Sequence, residues 1–180
     1  SFYTADITRT LPVDGKFSPA QRALYMLVYE SQLAGFAAIN PGVLFSEINR
    51  ACQEVLAKGL ADMGVLTVSA EESMKPEIGL HRRWTLHGVS HHLGLDVHDC
   101  AQARKEMYLD APLREGMVLT VEPGLYIQPD DELFAPEYRG IGIRIEDDVL
   151  VTADGCRNLS ENIPRHPDEI EKWMKSVLGR

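Results

Sequence analysis

The sequence predicts an α+β fold in which helices precede a group of short antiparallel strands. Two segments with helix start and stop signals occupy the first third of the chain, and apolar segments bounded by Gly and Pro follow residue 86. The composition, 44% hydrophobic and 25% charged residues over 180 residues, is typical of a globular domain. We therefore expect one domain spanning residues 1–180.

The chain begins with a predicted strand followed by a predicted helix. Residues 1–10, SFYTADITRT, alternate β-branched or aromatic side chains with polar ones and contain no helix cap, which favours a strand. Ser18 is placed to cap a helix, Pro19 suits the first helical position, and Gln21 completes a capping box. The Asn-Pro-Gly sequence at residues 40–42 predicts the end of this helix.

Two further helices and three strands are predicted beyond this point. The second helix extends from Ser46 to Gly64 because apolar residues recur there at helical spacing. A last helix opens at His166, where acidic residues in the first turn complement the helix dipole. Short segments rich in Val, Ile and Leu predict strands at residues 93–98, 117–127 and 141–152.

Charge and cysteine content exclude several classes of protein. The net charge of −9, from 18 Lys and Arg against 27 Asp and Glu, argues against a protein that binds nucleic acid or anionic membranes through general electrostatic attraction. No apolar run approaches the roughly 20 residues that a membrane span needs. The cysteines at 52, 100 and 156 are widely spaced and form no C-x-x-C pair, which predicts reduced thiols in a cytoplasmic protein.

Side chains that bind metals concentrate in three places. Asp6 lies in the predicted first strand, a histidine-rich stretch runs from His87 to His98, and Glu122 and Glu146 belong to the apolar strands. Taken singly, each has an ordinary explanation, because a histidine cluster can be a surface feature and a lone Glu on a strand usually faces solvent.

Two details favour a functional site. Glu122 ends an apolar run and is followed at once by Pro-Gly, where a carboxylate carries a desolvation cost unless a cation or donors meet it. In the next strand the isoleucines share one face, while Gly142, Arg144 and Glu146 share the other. The glycine leaves room for a group close to that face. Carboxylates and imidazole that converge from separate segments are typical of oxygen-rich divalent-metal sites.

The order of these groups resembles the pita-bread metallopeptidases. It consists of an Asp, a His in H-G-x-S-H, a Glu before Pro-Gly and a Glu after an alternating strand. The phrases DITRTLPVDGKFS, HGVSHHLGLDVHD, GMVLTVEPGLYI and YRGIGIRIEDDVLVT are similar to the branch of Xaa-Pro aminopeptidase (aminopeptidase P) and prolidase, from residue 2 to about residue 165. Methionine aminopeptidase shares the fold and the ligand order, but the histidine phrase points away from it.

The resemblance implies a curved antiparallel sheet flanked by helices, the creatinase/aminopeptidase-type fold, and a two-metal site. Asp6 matches an aspartate that bridges two divalent cations, and Glu146 matches the second bridging carboxylate. His91 matches the single imidazole ligand, and Glu122 matches the carboxylate on the same metal, which also shuttles a proton. The family's full set of four carboxylates and one imidazole favours Mn²⁺, with Co²⁺, Zn²⁺ and Mg²⁺ as alternatives.

The remaining matches concern the substrate. His87 and His98 match histidines that contact substrate and stabilise the tetrahedral intermediate, and Arg144 matches a residue that orients the ligand carboxylates. His92 matches no functional position and is assigned to structure. The implied reaction is attack of a metal-bound hydroxide on the peptide bond that precedes proline, which releases the N-terminal residue of a proline-containing peptide.

One family ligand has no counterpart here, because the further aspartate that precedes the match of Asp6 would fall before Ser1. We therefore expect a shortened C-terminal catalytic domain that lacks part of the N-terminal half of the fold. It should hold at most one well-occupied metal and have impaired activity. Exposed apolar surface and unpaired strand edges would then favour a homo-oligomer.

Three alternatives remain within this fold. A prolidase would cleave Xaa-Pro dipeptides instead of longer peptides. A creatinase-like hydrolase would work without metal, although the four candidate ligands would then form a cluster of uncompensated negative charge. An inactive pita-bread pseudoenzyme would serve as a binding module, because residues can persist after activity is lost.

Overall fold

Helices and antiparallel strands make up the structure, a computed structural model that describes residues 2–179. Within these residues the helices are α1 (Pro19–Ala38), α2 (Ser46–Asp62), α3 (Ala70–Ser73) and α4 (Pro167–Leu178). The strands are β1 (Val118–Val121), β2 (Gly124–Tyr126), β3 (Gly142–Arg144), β4 (Asp147–Thr152) and β5 (Gly155–Asn158). None of the helices in the described part of the chain is both long and apolar enough to cross a membrane.

The strands form two small antiparallel sheets. One has the order β1-β4-β5 and the other pairs β2 with β3. Val121 lies opposite Asp147 in the first sheet, and Gly124 lies opposite Arg144 in the second. Because β1 leads directly towards β2 and β3 towards β4, the two sheets meet at residues 122–123 and 145–146. The predicted α+β class is confirmed.

The helix predictions are confirmed. The Ser18 hydroxyl accepts from the Gln21 amide at 3.2 Å, and the Gln21 side chain accepts from the Ser18 amide at 2.9 Å, which completes the capping box. Helix α2 begins at the predicted Ser46, and α4 follows its N-cap His166. The capping box of α1 joins residues within one helical turn, so the sequence alone predicts that start.

The helices cover the inner face of the strands. A β-carbon added to Gly35 of α1 would lie 2.6 Å from Cys52 Sγ of α2 and 2.8 Å from Val121 Cγ1 of β1, so glycine permits this close approach. Buried Ile143 and Ile145 pack into the core with α1 and α2. The opposite side of these strands is therefore free to carry polar groups.

Two strand predictions are wrong. Residues 93–98 form a loop, because the Gly94 amide donates to the Asp96 carbonyl and the Asp99 amide to the His92 carbonyl, which turns the segment back on itself. Residues 2–10 are irregular, with one bridge between Thr8 and Glu146. Isolated backbone bonds and side-chain bonds hold this segment instead of a continuous strand ladder. The first residue of the predicted strand lies outside the described residues.

The other two predicted strands are each divided. The segment 117–127 breaks at Pro123, which has no N–H to donate to a ladder. The segment 141–152 breaks at residues 145–146, because the Glu146 backbone pairs with Thr8. Strand β5 was not predicted. It follows a two-residue turn at Ala153-Asp154, after which Gly155 lies opposite Thr152.

Candidate metal centre

His91 and Glu122 are brought together by backbone pairing. The segment that carries His91 runs beside β1: the Glu122 amide donates to the Val89 carbonyl at 2.7 Å, and the Thr120 amide donates to the His91 carbonyl at 2.9 Å. This pairing places His91 Nε2 3.2 Å from Glu122 Oε1. The Thr120 hydroxyl strengthens the arrangement, since it accepts from the His91 amide and donates to Glu122 Oε1.

The His91 ring is oriented as a metal ligand. Its Nδ1 lies 3.1 Å from the His92 carbonyl, which can only accept, so Nδ1 carries a proton and Nε2 is the nitrogen that could offer a lone pair to a cation. Nε2 faces Glu122 and also Asp6 Oδ2, at 3.6 Å. A cation between these atoms would therefore meet a neutral imidazole nitrogen and two carboxylates.

Asp6 and Glu146 come from segments that are 140 positions apart. The Glu146 amide donates to the Thr8 carbonyl at 3.0 Å, and the Thr8 amide donates back at 3.3 Å. The Asp6 amide is held by the Asp148 carboxylate, with its oxygens at 3.2 and 3.3 Å. These bonds bring the N-terminal segment across β4 and direct both carboxylates towards His91.

Glu146 is buried, and its two oxygens have different surroundings. Oε2 accepts from the Thr8 hydroxyl, whereas Oε1 finds no hydrogen-bond donor among residues 2–179. Burial raises the pKa of this carboxyl to about 7, and the nearby charges of Glu122 and Asp6 act in the same direction. A buried carboxylate oxygen without a donor is the environment in which a cation offsets the desolvation cost. The residues present therefore fit a divalent metal.

His91 and Glu122 shift each other's protonation. Burial lowers the pKa of His91, but the hydrogen bond and charge of Glu122 and the charge of Asp6 outweigh it, so the pKa is raised. Burial raises the pKa of Glu122, but the bond and charge of His91 outweigh it, so the pKa is lowered. Glu122 is thus held ionised beside the imidazole.

The candidate ligands form two overlapping groups within the described residues. Asp6, His91 and His98 offer ligand atoms within 4.8 Å of one another, and so do His91, Glu122 and Glu146. His91 is shared by both groups. The His98 ring meets the His91 ring edge-on, with centroids 4.4 Å apart. A cavity of about 640 Å³ opens beside these groups; its lining includes His87, Ser90, His91, His98, Tyr108, Leu109, Glu122 and Arg144.

His87 is held in place by Tyr126, a residue that the sequence analysis missed. The Tyr126 hydroxyl lies 2.7 Å from His87 Nε2, and His87 Nδ1 lies 2.8 Å from the Gly88 carbonyl, so the ring donates to the carbonyl and accepts from the phenol. A β-carbon on Gly142 would lie 3.3 Å from the Tyr126 ring, and one on Gly124 would lie 2.4 Å from its hydroxyl. The space predicted beside Gly142 is occupied by this tyrosine.

Arg144 reaches the ligand carboxylate through a threonine. Its Nε donates to the Thr8 hydroxyl at 3.2 Å and lies 3.9 Å from Glu146 Oε2. Thr8 was also missed, although it lies two residues after Asp6 on the same segment. His92, in contrast, packs its ring against Phe45 and Tyr108, each with a centroid distance of 4.9 Å.

Comparison with known proteins places this chain in a family. A sequence model of metallopeptidase family M24 matches residues 1–153. The chain belongs to this family. Xaa-Pro aminopeptidase 1 of Streptomyces coelicolor is 55% identical over 179 residues, which cover 99% of this chain and 36% of that protein. The Xaa-Pro aminopeptidase of Escherichia coli is 44% identical over 175 residues, which cover 96% of this chain and 38% of that one.

Solved structures of M24 members confirm the fold. Aminopeptidase PepP of Pseudomonas aeruginosa superimposes with a TM-score of 0.92 at 41% identity, and the match covers 99% of this chain and 40% of that one. The resemblance to the aminopeptidase P branch and the pita-bread fold are therefore confirmed. The chain spans about two fifths of the length of these relatives or slightly less.

Proposed function

We propose that this chain is a metallopeptidase domain of the Xaa-Pro aminopeptidase type, which releases the N-terminal residue from peptides whose second residue is proline. One observation carries the proposal: His91 Nε2 faces the carboxylates of Asp6 and Glu122 beside a cavity of about 640 Å³. The M24 family model and the names of the curated relatives support the substrate class.

Asp6, His91, Glu122 and Glu146 would hold a divalent cation in this site. Three carboxylates and one imidazole from residues 2–179 form a hard donor set, which favours Mn²⁺ over a site for a softer metal. When bound, such a cation supplies a Lewis acid that activates water and polarises the scissile carbonyl. One solved relative is described as zinc-substituted E. coli aminopeptidase P in complex with product, so zinc belongs among the cations to be tested.

The residues around the cavity would divide the remaining tasks. Glu122 is ionised and close to His91, so it accepts a proton during attack and returns it to the leaving nitrogen. His98 faces the cavity beside His91 and contacts the substrate carbonyl. His87 is held by Tyr126 and Gly88, which pre-orients its ring towards the peptide. Arg144 orients Glu146 through Thr8.

We propose that a polypeptide of these 180 residues binds one cation well and turns over slowly. Within the described residues, His91, Glu122 and Glu146 form a compact ligand group, with Asp6 at its edge. A second cation would have fewer ligands of its own, because the further aspartate that the family resemblance implies matches none of these 180 residues. A single tight site would therefore dominate a calorimetric titration with Mn²⁺.

The decisive experiment combines metal binding with peptide hydrolysis. The chain is titrated with Mn²⁺ by calorimetry, and hydrolysis of an Xaa-Pro tripeptide, an Xaa-Pro dipeptide and an Xaa-Ala tripeptide is followed by chromatography. We expect one Mn²⁺ site and cleavage of the Xaa-Pro tripeptide, and His91→Ala should abolish both. Preferential dipeptide cleavage would indicate a prolidase instead. Cleavage that survives chelation would indicate metal-free chemistry, and binding without any cleavage would indicate a pseudoenzyme.

We also propose that copies of this chain associate in a reducing, cytoplasmic environment. Several large apolar side chains are exposed, among them Phe2 at 91%, Leu95 at 65% and Met107 at 65%. Such side chains gain free energy when a second surface covers them. The three cysteines are free thiols, which supports the reducing compartment.

A further inference from the structure

Three consecutive acidic residues after β3 point in different directions. Glu146 faces the metal centre, Asp147 enters a buried polar network, and Asp148 holds the backbone amide of Asp6. The proposed function uses only Glu146 of the three. Asp147 is fully buried and must be compensated, so its partners reveal what the network does.

The main partner of Asp147 is Arg9. Arg9 Nη2 lies 2.7 Å from Asp147 Oδ1, and the side chains are 7% and 0% exposed. Both carboxylate oxygens of Asp147 have further donors, because Oδ2 accepts from Gln32 Nε2 at 2.9 Å and Oδ1 also accepts from the Ser160 hydroxyl at 2.6 Å. A buried pair with this many hydrogen bonds holds its members in one geometry.

The guanidinium also binds the backbone on both sides of the metal centre. Arg9 Nη1 donates to the Thr8 carbonyl at 2.9 Å and to the Glu146 carbonyl at 2.7 Å. Its remaining donors reach the carbonyls of Pro164 at 2.7 Å and Ile163 at 3.1 Å. One side chain thus joins the segment of Asp6, the connection between β3 and β4 that carries Glu146, and the loop that precedes α4.

The N-terminal segment needs such a support. Residues 2–10 form no strand, and one bridge joins Thr8 to Glu146, which lies just before β4. The position of Asp6 relative to Glu146 therefore depends on this bridge and on the side chains that hold the segment.

We propose that Arg9 is a positioning residue of the metal centre. Paired with Asp147, it clamps the Thr8 and Glu146 carbonyls, so that the carboxylates of Asp6 and Glu146 stay at a separation that a cation can bridge. This role rests on the proposed function, because it assigns Arg9 to the metal site described above.

The substitution Arg9→Lys tests the hydrogen bonds of the guanidinium separately from its positive charge. Lysine keeps a positive group near Asp147, but its single ammonium cannot donate to five acceptors in the plane that the guanidinium spans. Residues that orient metal ligands typically change metal affinity by about 10- to 100-fold when they are mutated. We expect Arg9→Lys to weaken Mn²⁺ binding by at least about tenfold.

The control variant must lower the stability of the fold without changing the hydrogen bonds of Arg9 and Asp147. Asp131 is also a buried carboxylate and accepts from Trp84 Nε1 at 2.7 Å and from the Leu133 amide at 3.2 Å. Asp131→Asn should lower the melting temperature and leave the Mn²⁺ dissociation constant within about 1.5-fold of the parent value, since it disturbs no ligand. Both variants are titrated with Mn²⁺ well below their melting temperatures.

Hydrogen exchange of the metal-free chain provides a second measurement. In Arg9→Lys the amides of Asp6 and Thr8 should exchange faster than in the parent, while Asp131→Asn leaves them unchanged. If Arg9→Lys does not fold, Ser160→Ala takes its place, because it removes one donor to Asp147 and leaves the ion pair. It should weaken Mn²⁺ binding by about threefold.

The outcomes separate the clamp from the proposed function. Parent affinity in Arg9→Lys, or in Ser160→Ala if that variant is used, together with unchanged exchange at Asp6 and Thr8, overturns the clamp. An equal loss of affinity in Asp131→Asn overturns it as well, because the effect would then be general destabilisation. If the parent chain binds no Mn²⁺, the proposed function fails, and faster exchange in Arg9→Lys still supports the clamp.

Discussion

Neutralising Glu146 should stabilise the metal-free protein while it removes metal binding. Burial raises the pKa of Glu146 from 4.5 to about 7 in the folded chain. The folded state therefore binds a proton more tightly than the unfolded state does. The stability that the protonated form contributes is present below pH 4.5 and is lost as the pH rises through about 7.

The size of the effect follows from the shift. At about 1.36 kcal/mol per pH unit, the rise corresponds to a cost of about 3 kcal/mol when Glu146 is ionised at pH 8. Glu146→Gln keeps the shape and the acceptor for Thr8 but carries no charge. We expect the variant to exceed the parent by about 3 kcal/mol in the free energy of unfolding at pH 8, and by less than about 1 kcal/mol at pH 5.

Urea denaturation in the presence of a chelator measures this difference at both pH values. The exposed Glu115 is the matched control, and Glu115→Gln should change stability by less than about 0.5 kcal/mol at either pH. Saturating Mn²⁺, at about 100 times its dissociation constant, should stabilise the parent by about 2.7 kcal/mol and leave Glu146→Gln unchanged. A variant that is less stable than the parent at pH 8, or a difference that does not vary with pH, would refute this reasoning.

Three further predictions address the remaining parts of the site. His98→Gln should keep the Mn²⁺ dissociation constant within about threefold in calorimetry and lower the rate of Xaa-Pro tripeptide hydrolysis by about 100-fold; a lost Mn²⁺ site would make His98 a ligand. Tyr126→Phe should lower kcat/KM by about fivefold, because it removes a hydrogen bond of about 1 kcal/mol to His87, and an unchanged value would contradict this. Light scattering at micromolar concentration should show an assembly larger than a monomer, which Leu95→Glu weakens; a stable monomer would contradict it.

Local interactions explain which parts of the fold the sequence predicts. The capping box at Ser18 and Gln21 joins residues three positions apart, and the apolar spacing of α2 repeats within one helical turn, so short windows contain both signals. Strands are harder to predict from the sequence, because a strand forms only where a neighbouring segment pairs with it. Residues 2–10 have the composition of a strand and only one bridge, and residues 93–98 turn back on themselves.

In the candidate site, too, some residues can be predicted from the sequence and others only from the tertiary structure. The carboxylates at 6, 122 and 146 and the imidazole at 91 can be selected from the sequence, because each stands out chemically against its apolar or glycine-rich surroundings. Tyr126 and Thr8 are ordinary residues in the sequence. They become part of the site only because a glycine leaves space for one and a single backbone bridge carries the other to Glu146.

The sequence by itself determined the chemistry of this protein: which side chains carry charge or a lone pair, and which apolar segments bury them. The tertiary structure decided which of these groups meet and what holds them there. Arg9 illustrates the reason, because its bonds to Glu146 and Asp147 span nearly 140 positions of the chain. Contacts over such separations arise from the packing of the whole domain, and no local pattern encodes them.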